Sequence, residues 1–177
     1  MAISTAGVFL GYKELTNVTS ASSYDAIVTA ERANTTWDKL IDITDYPDLI
    51  STPERIETTT LSNEESRTYI ADLRDTETFT FGTNFEHSKY VELNTKGGDK
   101  ALKDNNGKSK IFACCLLFKQ TGSLIRWAAE ITLGLSGGGI SEVVKGSVTA
   151  TPMTEVYFDT SGTYSISDNG TISKVSA

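Results

Sequence analysis

Two stretches of the chain alternate apolar and polar residues with period two, a pattern that suits strands with one buried face and little else. Between Thr76 and Glu86, Phe79, Phe81 and Phe85 fall on one face, and Thr78, Thr80, Asn84 and Glu86 on the other. Between Leu124 and Leu133, Ile125, Trp127, Ala129, Ile131 and Leu133 point one way, and Arg126, Glu130 and Thr132 the other. The glycine-rich run Gly134–Gly139 separates this strand from Glu142–Thr151, where Val144, Val148 and Ala150 share a face. That arrangement predicts a neighbouring antiparallel pair, ended by Pro152. Lys110–Phe118 (KIFACCLLF) is apolar on both faces and predicts a strand covered on both sides.

A long polar segment precedes the first alternating strand. Trp37, Leu40 and Ile41 open the stretch Thr36–Glu86, whose middle holds Pro47 and Pro53 and is dense in Asp, Glu, Thr and Ser. It has no helical face. Within it, Ile56–Leu61 is β-branched and strand-like, and Tyr69–Leu73 is a possible partner. Loops of this length inside a compact domain are uncommon and usually functional, so residues 42–75 read as an assembly loop.

The rest is less patterned. Residues 1–35 read as an N-terminal arm with first strands, including a short strand at Gly7–Tyr12 and a polar Thr16–Ser23. Tyr24–Arg32 fits a short helix or a strand; the run is too short for periodicity to choose. His87–Leu102 is the best helix candidate, broken or capped by Gly97-Gly98. Asp104–Gly107 and Asp168–Gly170 are hairpin-type turns, the second within a C-terminal hairpin or arm at residues 152–177. At 177 residues, without internal repeat or linker, the expectation is a single domain over 1–177.

Composition narrows the class. Ser and Thr make up about a quarter of the chain, well above an average soluble domain. A net charge of −7 and a pI near 4.7 argue against a DNA-gripping protein. No apolar stretch is long enough to span a bilayer, so no membrane role is expected. The start lacks a basic region and a sustained apolar run, which points to synthesis in a cytoplasm.

Catalytic chemistry finds little support. His87 is the only histidine and has no nucleophile motif beside it. Gly134–Gly139 lacks the Gly-Lys-Ser/Thr ending of a phosphate loop and lies between strand patterns rather than before a helix. Asp42, Asp45 and Asp48 are spaced like weak calcium ligands but lack the loop spacing and bidentate Glu of a known site, and read as a solvated loop. Adjacent Cys114 and Cys115 point to opposite faces, share no relaxed disulfide and read as buried hydrophobes. Lys96, Lys100, Lys103, Lys108 and Lys110 form the one basic cluster; without interleaved aromatics it reads as a solvated face or a contact to an acidic neighbouring subunit. No cofactor, metal or catalytic residue is assigned.

The central stretch resembles the major tail protein, or tail tube protein, of long, non-contractile-tailed bacteriophages. The resemblance rests on Trp37–Ile43 (WDKLIDI), Asp45–Leu49 (DYPDL), Pro53–Ser62 (PERIETTTLS), Thr68–Ile70 and Asp75–Phe81 (DTETFTF). Trp127–Glu130 and Gly137–Val144 extend it to about Thr36–Thr151. It implies a mainly β fold, a β-sandwich or partial barrel with one flanking α-helix and a long extended inter-strand loop. It implies a virion structural protein whose hexameric rings stack into the tail tube through which DNA is ejected, with no enzymatic activity. The implied partners are other copies of the chain and the tape measure, tail terminator and tail tip proteins; DNA passes without specific binding. On that resemblance, Glu57, Glu77, Glu86 and Glu130 are candidates to face the lumen, where acidic groups repel phosphate. Tyr46, Leu49, Ile50 and Tyr69 are candidate inter-ring anchors. Alternatives are the tube protein of a contractile tail or secretion system, and a carbohydrate-binding β-sandwich.

Overall fold

A curled antiparallel sheet organises the molecule. The computed structural model describes residues 7–50, 55–57, 69–71, 77–137, 140 and 142–175, with backbone alone at 55–57 and 69–71. The strands are β1 (Val8–Glu14), β2 (Thr36–Ile41), β3 (Ile43–Asp45), β4 (Arg55–Glu57), β5 (Tyr69–Ala71), β6 (Phe79–Asn84), β7 (Ile111–Phe118), β8 (Ser123–Ser136), β9 (Lys145–Pro152), β10 (Tyr157–Asp159), β11 (Tyr164–Ile166) and β12 (Thr171–Lys174). The helices are α1 (Tyr24–Ala33) and α2 (His87–Asn94).

The main sheet runs β11-β12-β2-β1-β7-β8-β9-β6-β3, with β10 added beside β8. β4 and β5 pair separately, with Ile56 opposite Ile70. One residue, Asp42, separates β2 from β3, yet the two strands lie far apart in the strand order. β3 also returns to contact β1. The sheet therefore curls into a half-barrel, and β8, fourteen residues long, is its spine. The architecture matches the expected mainly β partial barrel with a flanking helix. α2 is that helix, ending at Asn94 rather than Leu102, and α1 is a second one.

The alternation seen in the sequence sorts residues to the two faces of the curl. Inside it, Phe79, Phe81, Trp127, Ile131, Val148 and Ala150 join Leu10, Leu116 and α2's Tyr90 and Leu93 in one core. Trp127 stacks on Phe81 at 6.2 Å between ring centroids and meets Phe79 edge-on at 5.9 Å. Outside it, Ile111, Ala113, Cys115 and Leu117 of β7 with Leu124 and Ala128 of β8 form a second core, closed by Ile27 of α1, Trp37 and Ile172. The double apolar face of Ile111–Phe118 is thus covered on both sides, and Cys114 and Cys115 are both buried and free. Val144 departs from the expected face. It precedes β9, which starts at Lys145, and is 47% exposed.

Two glycines are set by close approach. A Cβ on Gly11 would lie 2.7 Å from Cys115 Sγ and 2.9 Å from Ile172 Cδ1. A Cβ on Gly146 would strike the Tyr90 hydroxyl, which donates to the Gly134 carbonyl at 3.0 Å and so fastens α2 to the hairpin.

Candidate functional site

Among the described residues, the outer side of the curl is only half covered. α1 and the C-terminal β11–β12 hairpin close the β1–β7 half and the first part of β8. Beyond Ala128 the face is polar: Glu130, Thr132 and Ser136 on β8, Ser147, Thr149 and Thr151 on β9, Thr80 and Asn84 on β6. Register aligns these side chains in rows. Thr132, Thr149 and Thr80 are direct cross-strand neighbours, and Glu130 stands opposite Thr151. The next row, Gly134–Ser147–Gly82, is nearly flat and ends at Asp45, whose carboxylate accepts from the Gly82 N–H at 2.7 Å. β-branched Thr favours this extended geometry, and three charged side chains stand among the hydroxyls: Glu130, Asp45 and the exposed Lys145 between Ser136 and Asn84.

A buried ionic cluster holds α1 against the sheet. Ser23 caps the helix N-terminus, and the spacing of four residues places Ile27 and Glu31 on the same buried side. Arg126, on the outer face of β8, donates Nε–H to Glu31 Oε1 at 2.7 Å and an Nη1–H to Asp159 Oδ2 at 2.8 Å. Its Nη2 donates to the backbone carbonyls of Glu31 and Asn34. The guanidinium lies 4.8 Å from the Trp37 ring centroid, and the Tyr157 hydroxyl donates to Glu31 Oε2 at 2.9 Å. Burial works against the charge on Arg126, but the hydrogen bonds to Asp159 and Glu31 outweigh it and hold the guanidinium protonated above its ordinary value. For Asp159, burial is again the opposing effect. Bonds from Ser161, Tyr164 and Arg126 overcome it and keep the carboxyl well below the usual carboxylate range.

The residues singled out from the sequence do not form one cluster. Glu130 stands on the polar sheet face, half-buried. Glu77 is exposed just before β6, and Glu86 is exposed at the N-cap of α2, accepting from Ser88 at 3.3 Å. Glu57 and Tyr69 pair across β4 and β5; their side chains lie outside the described residues. Tyr46 is exposed, with its ring edge-on to Phe118 at 6.0 Å, and Ile50 is exposed too. Leu49, between them, is 8% exposed and belongs to the inner core. Asp42 pairs with Lys39 at 2.9 Å and Asp45 caps Gly82, so the three aspartates do not converge. His87 opens α2, its ring edge-on to Phe85 at 6.2 Å. Gly134 lies within β8, and the run after it connects two antiparallel strands. Among the described residues no three metal-ligating side chains converge, and no described helix is long and apolar enough to cross a membrane.

No family model matches the sequence, and no curated protein does. Solved structures do match. A chain of the anti-feeding prophage baseplate, determined by cryo-EM with six-fold symmetry, superposes with a TM-score of 0.55 over 90% of this chain and 96% of that one, at 4% identity. This chain shares that fold. A chain of an extracellular contractile injection system, from a sheath–tube complex in the extended state, aligns at a TM-score of 0.49 and 9% identity over 89% and 91% of the two chains.

The fold puts the Thr/Ser face and the Arg126 cluster on the same strand, with Arg126 six residues before Thr132. The Arg126 cluster was not legible beforehand as a cluster. Its one sequence signal is an arginine flanked by Leu124 and Ala128 on a face that buries both.

Proposed function

We propose that this chain is a structural subunit of a phage-tail-like particle, assembling as six-membered rings that stack into a tube, with the bare polar sheet face turned to the lumen. The observation that carries the reading is that face: a hydroxyl-rich wall on the outside of a curled sheet that no described residue covers, in a fold shared with a chain of a six-fold baseplate. A face of threonines and serines with few charges gives passing DNA hydration without a grip, and the chain's net charge of −7 adds repulsion of phosphate rather than attraction. The short edge strands β3 and β11 end the sheet, so ring closure would protect edges that are otherwise open. The shared fold belongs to a prophage-type baseplate, so the proposal covers tube-forming proteins of both contractile and non-contractile particles. In this reading the chain performs no catalytic step, is found in the particle, and meets other tail components through its ring faces.

A single cysteine reports the orientation. The native thiols are buried, and burial pushes Cys114 and Cys115 far above the ordinary thiol range, so neither competes for a maleimide. Thr132→Cys on the polar face should react readily in the free chain. In assembled tubes, small gold–maleimide should decorate the central channel, not the outer wall. Gold on the outer surface of intact tubes would reverse the assigned orientation.

A further inference from the structure

α1 carries a stripe of side chains that serves neither core. Ile27 and Glu31 form the helix's buried side, while Tyr24, Val28 and Arg32, spaced four residues apart, run along another side. Tyr24 is 56% exposed, and neither it nor Val28 joins the inner or the outer core. Anchoring of the helix uses Ile27, Glu31 and Arg126 and asks nothing of those two. The stripe forms one wall of an open cleft whose other wall is Thr154, Glu155 and Tyr157. The Arg32 guanidinium lies over the Tyr157 ring at 5.7 Å, so aromatic surface and charge meet in the cleft.

A projection of matching chemistry stands farther along β8. Leu135, Ile140, Val143 and Val144 are exposed around the β8–β9 connection, and Ile140 is fully so, at 110%. Glu142 and Lys145 flank the two valines with opposite charges. Tyr157 of the cleft stands opposite Arg126 on β8, and Leu135 is nine residues farther along that same strand. At the rise of an extended strand this is about 30 Å, so a chain's own hairpin does not reach its own cleft. Cleft and projection are different surfaces, so a contact between them is head-to-tail and propagates from copy to copy.

We infer that the cleft between α1 and Tyr157 receives the β8–β9 connection of a neighbouring copy, with Ile140 seated among Tyr24, Val28 and Tyr157. This rests on the reading of the chain as a self-assembling tube subunit. Charge favours this occupant: Arg32 and Glu155 of the cleft meet Glu142 and Lys145 of the arriving copy, so each sign finds its opposite. Two tyrosines and an arginine around a projecting aliphatic side chain are the residue types that concentrate binding energy at interfaces. The apolar contact supplies holding strength, and the charges at its rim set the register.

Cysteine pairs test the contact. Val28→Cys and Ile140→Cys are made on separate chains, mixed under assembly conditions and oxidised; the native thiols are buried and do not interfere. The mixture should give a disulfide-linked dimer on a non-reducing gel, and neither variant alone should give more than a trace. Arg32→Glu should melt like the wild type but need about a tenfold higher concentration to assemble, and adding Glu142→Arg to the same chain should bring that concentration back. Ile140→Ser should raise it as well, with no change in the melt. Tubes that give no mixed crosslink, or Arg32→Glu and Ile140→Ser chains that assemble at the wild-type concentration, would overturn the inference and leave the tube reading intact. An Ile140→Cys homodimer in place of the mixed one would overturn it in favour of a tip-to-tip contact. A mixed crosslink between chains that form no ring would uphold the contact and overturn the tube reading. A wild type that stays monomeric, with no crosslink in the mixture, would overturn both.

Discussion

Arg126→Met lowers the unfolding free energy by about 3–5 kcal/mol, the range for removing one partner of a buried ion pair. Two carboxylates lose their counter-charge at once. Glu31 is 1% exposed and keeps the Tyr157 hydroxyl as its remaining side-chain donor. Asp159 keeps Tyr164 and Ser161. The backbone carbonyls at the C-terminus of α1 lose their donors too, so the helix loses its tie to β8. Urea unfolding at pH 7 checks this; a change under about 1 kcal/mol would mean that the cluster is not a lock.

The same cluster gives the chain an acid limit. The Asp159 carboxyl sits below its ordinary value in the folded chain. Its stabilising contribution is therefore complete above the unfolded value of about 4 and is lost as pH falls through the lower folded value. The melting temperature should fall between pH 5 and pH 2, and the fall attributable to Asp159 should vanish in Asp159→Asn.

Replacing residues 51–67 by a short Gly–Ser linker should abolish polymerisation and leave a folded monomer. The cut begins after Ile50 because Leu49 is in the inner core and its loss would confuse folding with assembly. The replaced segment lies almost wholly outside the described residues and contributes much of the acidic charge through Glu54, Glu57, Glu64 and Glu65. No described residue of either core comes from it. The expected result is a cooperative melt close to that of the wild type, with no tubes at any concentration tried. Tubes of normal length from this variant would remove the segment from the inter-ring contact.

Much of the sheet was legible because its strands bury one face against a polar one. Phe79 and Phe81, and Ile125 through Leu133, fall where period two puts them. What stayed hidden depended on partners distant in sequence. α1 was ambiguous because ten residues with one buried apolar side chain, Ile27, give almost no periodic signal, and its other buried position is a charged Glu31. Glu31, Arg126 and Asp159 come together only through the pairing of β10 with β8 and the packing of α1 on top. Val144 looked like a core residue by spacing, yet the strand starts one residue later and leaves it on the exposed turn. Leu49 looked like part of a polar loop and instead belongs to the inner core, against which Ile43 and Phe118 also pack. The candidate glutamates share a residue type but not a surface; of the described ones, Glu130 alone lies on the bare sheet face.

Negative-stain microscopy of the purified wild-type chain across a concentration series decides whether the chain assembles into tubes. Rings and tubes with a stain-filled central channel and six-fold end views are the expected result. A monomer that stays monodisperse at the highest concentration and in low salt would contradict it.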